Sequence, residues 1–194
     1  MNKIDYHKSL IADYLSERDN ICCIDIITYT IEQNSLEDAI RVAVMSKNKN
    51  GKTEFHQRRI YKNVYPNFLK NLLKIKDKIE NAKNFDKLIS TIFINKPSGA
   101  GELFCYDVAL RIGHKLNLLP EKIYIHAGTK IGLENLLKRK IYEKTIDKRK
   151  LPEPFCSCEL TPDQLEDFLC IYKEELSDNY LSTNKKEHIK RYCK

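Results

Sequence analysis

Tryptophan is absent, and glycine and proline each occur only six times among 194 residues. Sandwiches and barrels of many short strands draw heavily on both residues for their turns, so the scarcity points away from all-β architectures. No apolar stretch approaches the roughly 20 residues that span a bilayer, which leaves a soluble globular chain as the expectation, with no membrane partner. The opening Met1-Asn2-Lys3-Ile4-Asp5-Tyr6 lacks an apolar signal region, and the expected compartment is the cytoplasm. Seven cysteines are scattered through the chain, and only Cys156-Ser157-Cys158 forms a close spaced pair. Because no second pair stands at a zinc-like spacing, thiols packed among apolar residues are expected, with no metal and no cofactor.

What is present suits one helical domain covering residues 1–194. Apolar residues make up 42% and charged residues 31%, enough of each for a core and a hydrated surface. The formal charge of +7 matches a polyanionic partner, and the richest basic run, Lys138 to Lys150, is expected to supply much of that excess. Helical spacing recurs along the chain. It runs from Ile4 to about Arg18, through the β-branched stretch Ile21 to Ile31, and from Ser35, whose Ser-Leu-Glu-Asp pattern is a capping signature. A polar turn at Lys47 to Gly51 and an irregular segment at Thr53 to Ile60 follow. Pro66 is expected to open a helix through Phe68, Leu72, Ile75 and Ile79, and Asn84 to cap a shorter one through Ile92. Thr161-Pro162-Asp163-Gln164 opens the last helix with a proline at its first position and a capping-box glutamine.

The informative third begins at Lys96-Pro97-Ser98-Gly99-Ala100-Gly101-Glu102, set between the helical patterns Leu88 to Ile94 and Leu103 to Leu116. Two glycines spaced by one residue permit close approach of another molecule, and the free N–H groups of the following helix favour an anion there. The helix after the glycines has almost no polar face, so Asp107 and Arg111, four residues apart, stand out, with His114 one turn on. One expectation is a partly buried ion pair made for packing. The other is a carboxylate held in an apolar surround for chemistry.

This element, residues 84–117, resembles the helix-hairpin-helix of DNA repair proteins, which grips the sugar-phosphate backbone without reading sequence. An extra Ser98 between the proline and the first glycine departs from the usual pattern. In the helix-hairpin-helix glycosylases a catalytic aspartate follows about 20–25 residues later at a helix start; here His126, in Tyr124-Ile125-His126-Ala127-Gly128-Thr129, occupies that place and no acid does. The resemblance implies a DNA-binding protein that contacts backbone and takes a flipped base, excising it by hydrolysis of its N-glycosidic bond. Asp107 would then stabilise the cationic sugar, His126 would position water or touch the base, and Arg111 would hold Asp107. Tyr106 and Glu102 would line the base pocket. Backbone contacts are expected from Lys96, Ser98, Gly99, Gly101, Thr129 and Lys130, and from the irregular segment His56-Gln57-Arg58-Arg59, with Gln57 also a candidate contact to the base. Two alternatives stand beside it: a non-enzymatic module docking on nucleic-acid backbone, and a helical protein–protein adaptor whose glycines serve helix packing.

Overall fold

A computed structural model describes residues 2–17 and 22–177, without the side chains of residues 22–24, 55 and 56; Arg18, Cys193 and the His56 side chain therefore lie outside the description. The chain is all-α: helix takes 60% and strand 4%, with nine α-helices and one two-stranded sheet among the described residues. No helix of the described residues is long and apolar enough to cross a membrane. The helices group into two compact units, residues 22–119 (unit I) and residues 1–21 with 120–194 (unit II).

Unit I contains α2 (Cys22–Ile31), α3 (Leu36–Met45), α4 (Val64–Lys74), α5 (Lys76–Glu80), α6 (Phe85–Ile94) and α7 (Glu102–Leu116). The apolar α7 packs against α2, α3 and α6 at once, which is why Cys105, Val108, Ala109 and Ile112 are fully buried. Phe104 meets Tyr65 and Phe68 edge to face, joining α4 to the same core. Local signals end these helices where expected. Ser35 Oγ accepts from the Asp38 N–H at 3.1 Å, and Asn84 Oδ1 from the Lys87 N–H at 2.9 Å. At the other end of α7, Asn117 is left-handed at φ 55° and the Leu118 N–H donates to the Gly113 carbonyl at 2.8 Å, a Schellman closure. The segment expected as one helix from Pro66 to Ile79 is two. Ile75 leaves the helical region at φ −113°, ψ 20°, and the helix starts at Val64, so that Pro66 sits in the first turn, where a missing N–H costs nothing.

Unit II contains α1 (Lys3–Glu17), α8 (Ala127–Leu137), α9 (Pro162–Ile171) and the strands β1 (Ile123–Tyr124) and β2 (Thr145–Ile146), paired antiparallel. Tyr14 of α1 meets Phe168 and Tyr172 edge to face, and its hydroxyl donates to Asp167 Oδ2 at 3.1 Å. The Thr161 N–H donates to Gln164 Oε1 at 3.0 Å, the glutamine half of the expected capping box. The space beside the small residues of α8 is filled by α9: a Cβ on Gly128 would overlap the Cys170 side chain, and one on Gly132 would overlap the Leu169 carbonyl oxygen. The glycines set how closely the two helices cross.

Candidate nucleic-acid interface

The α6–α7 connection is a tight turn. The Ala100 N–H donates to the Pro97 carbonyl at 3.2 Å, and Gly99 takes φ 87°, a conformation that L side chains rarely adopt. A Cβ at Gly99 would also press on Val64 Cγ2 at 3.0 Å, so the turn rests on the first residue of α4. Asn71 Nδ2 donates to the Asn95 carbonyl at 3.0 Å, a second tie between α4 and this turn. Ser98, Gly99 and Gly101 are exposed, with open space where a Cβ on Gly101 would point. Lys96 is half-buried: its ammonium donates to the Ala100 carbonyl at 2.9 Å and lies over the Phe93 ring at 5.4 Å, so it braces the turn from within. Glu102, the first residue of α7, is exposed. Its carboxylate already complements the positive end of the helix and repels a phosphate there. What the turn leaves open to solvent is the Ser98–Gly99 stretch and Gly101.

Arg111 is reached by groups far from it in sequence. It is 2% exposed, and its guanidinium donates to the Ala43 carbonyl at 2.8 Å, to Ser46 Oγ at 2.7 Å and to the Glu54 carboxylate, with which it forms a buried ion pair. The Ser46 hydroxyl donates to Gln57 Oε1, and Gln57 Nε2 donates to Asp107 Oδ2 at 2.6 Å. Tyr65 closes the set by donating to the Gln57 carbonyl at 2.6 Å, and burial pushes its pKa up, so it remains a donor. The network locks α3, the 3₁₀ turn Phe55–Arg59, α4 and α7 together. Gln57 is 1% exposed with both ends of its amide engaged, so it faces the interior rather than a nucleic acid. Tyr106 is also interior, 1% exposed and edge-on to Phe85 at 6.0 Å. Cys105 beside it is buried, which pushes its thiol up to about 11.

Of the three charged members, Glu54 and Arg111 are buried and Asp107 is half-buried. The neighbours of Gln57 in sequence behave differently: Arg58 and Arg59 are exposed, with Arg58 Nε donating to the Thr53 carbonyl at 3.3 Å.

His126, Thr129 and Lys130 belong to unit II. His126 is half-buried and immediately precedes α8, its carbonyl accepting from the Lys130 N–H at 2.7 Å. Thr129 is fully buried and its hydroxyl donates to Glu166 Oε1 at 2.6 Å, so it offers nothing to a backbone phosphate. Lys130 is exposed, its ammonium 5.7 Å from the centre of the Tyr142 ring.

Part of the basic run is paired within unit II. Arg139 pairs with Glu143, Lys140 with Glu134 and Arg149 with Asp147, while Lys148 donates to the Cys158 and Leu160 carbonyls. Arg139 beside Glu143 holds that carboxyl down at about 2. Unit I likewise pairs Arg41 with Glu37 and Lys49 with Glu32, and it carries sixteen lysines and arginines against ten aspartates and glutamates, a formal +6 of the chain's +7. Among the described residues no group of three or more His, Cys, Asp or Glu side chains is placed to hold a metal ion. Comparison with protein-family models, curated proteins and solved structures finds no match to the chain.

Proposed function

We propose that the chain is a DNA-binding protein that grips the sugar-phosphate backbone through unit I, at the Pro97–Gly101 turn and the exposed cations of Arg58, Arg59 and Lys62. The observation that carries this reading is the segregation of charge. Nearly the whole positive excess, a formal +6 of +7, belongs to the unit that holds the glycine turn. A turn with exposed backbone and few side chains contacts phosphates without regard to base identity. Neutralising three phosphates with lysine or arginine gives a slope of about −3 in log K against log salt. Fluorescence anisotropy of a labelled duplex between 50 and 200 mM salt measures it. Salt-independent binding, or none at the lowest salt, overturns the proposal and favours the protein–protein adaptor.

A second reading, base excision, is favoured by one observation: Asp107 is the half-buried charge of the network, held by Gln57 in an otherwise apolar helix of the same unit. In this version Asp107 stabilises the cationic sugar as the base leaves. Duplexes carrying damaged or modified bases then acquire abasic sites. Absence of cleavage, or cleavage undiminished in Asp107→Asn, removes it and leaves the backbone grip intact.

A further inference from the structure

The link between the 3₁₀ turn and α4 has an unusual surface. Arg58, Arg59, Tyr61, Lys62 and Asn63 are all exposed in succession around the half-buried Ile60, and Tyr61 is 78% exposed. An aromatic ring of this size set out in water between cations is not serving the core. The link is ordered: the Ile60 N–H donates to the Gln57 carbonyl and the Val64 N–H to the Tyr61 carbonyl, at 3.1 and 2.9 Å. Gln57 anchors one end through the buried network, and Val64 anchors the other against Gly99. The ring is thereby carried on a rigid strap beside the glycine turn.

The turn has its own apolar rim. Ile94 is 81% exposed, and Phe93 and Leu103 are also exposed, at the two helix ends that flank the turn. Single exposed apolar side chains are common; these three stand on the helix ends next to the turn, where a duplex, with its bases stacked inside, would leave them unused.

We infer that unit I binds DNA with unpaired bases, Tyr61 stacking on one base while Arg58, Arg59 and Lys62 neutralise the flanking phosphates. The inference rests on the backbone-binding reading and adds the class of substrate. Every base has a π-face, so such a platform selects single strands over duplexes without selecting sequence. Charge complementarity commits the surface to a polyanion rather than to an apolar partner helix.

The test uses the full chain with a labelled 20-mer of thymidine and a duplex of equal length, both at 50 mM salt. Stronger binding to the single strand is expected. Tyr61→Ala weakens single-strand binding at least about fivefold, the lower bound for a lost stacking contact, and changes duplex binding less than about twofold. Tyr61→Phe keeps the ring and stays within about twofold of the parent chain. An adenine analogue, 2-aminopurine, placed in the strand is quenched by the parent chain and not by Tyr61→Ala. Equal loss on both substrates, or no loss on either, overturns the stacking inference while salt-dependent duplex binding keeps the backbone reading. Binding to neither substrate overturns both. Because Tyr61 is exposed, circular dichroism of Tyr61→Ala should match the parent, and the comparison does not depend on a damaged fold.

Discussion

Removing Arg111 should cost more than removing any surface cation, because its three partners lie inside unit I. In Arg111→Met the Glu54 carboxylate, 6% exposed, loses its counter-charge, and the Ala43 carbonyl and the Ser46 hydroxyl lose a donor. Breaking a buried ion pair by deleting one side costs about 3–5 kcal/mol, since the remaining charge stays desolvated. For a chain of this length that corresponds to a fall in Tm of about 6–20 °C. Urea unfolding followed by far-ultraviolet circular dichroism gives the free energy through its midpoint and slope. The double variant Arg111→Met with Glu54→Leu should recover most of the loss, because an apolar pair of similar volume carries no desolvation penalty. A loss below about 1 kcal/mol in the single variant, or a double variant no more stable than the single, would show that the pair is not the structural brace described here.

Two further predictions concern unit II. Gly132→Ala should destabilise the chain by about 1–3 kcal/mol or more in the same urea assay, since the new methyl meets a backbone carbonyl that cannot rotate away, whereas Gly128→Ala should be milder because the Cys170 side chain can give. His7 is buried against the Phe155 ring at 5.1 Å, and burial, followed by the nearby Lys3 and Lys138 charges, lowers its pKa. Its contribution is complete above the ordinary value of 6.5 and is lost as pH falls through the lower folded value, so stability should decline on acidification below about pH 6.5. His7→Leu should flatten that part of the profile; an unchanged profile in thermal melts would contradict the buried-neutral assignment.

Where local chemistry decides, the chain is readable. Ser35 and Asn84 cap their helices through atoms three residues away, and the β-branched stretch after Ile21 becomes α2 because its neighbours α3 and α7 bury it. The break at Ile75 is not legible in the same way, since Leu72, Ile75 and Ile79 continue a helical spacing straight through it. The polar residues of α7 show the limit most clearly. Asp107 was visible as the neighbour of Arg111 at i,i+4, but the carboxylate paired with the guanidinium in the core comes from Glu54, brought there by the turn at Lys47–Thr53. Gln57 belonged to a segment that reads as a basic loop, yet it bonds inward while Arg58 and Arg59 point out; only the tertiary fold separates adjacent residues in this way. Gly128 and Gly132 stand five residues apart inclusive, a spacing that marks a helix crossing as readily as ligand room, and α9 decides between them.

On the proposed reading, the positive charge of unit I, not the richer basic run of unit II, contacts DNA. The most direct test compares the salt dependence of duplex binding in two triple variants, Arg58→Gln/Arg59→Gln/Lys62→Gln and Arg139→Gln/Lys140→Gln/Arg149→Gln. At about 0.9 per neutralised phosphate, the first should lower the magnitude of the slope by about 3 and weaken binding to every sequence alike, while the second leaves the slope where it was. A slope that falls in the second variant and holds in the first would contradict the account.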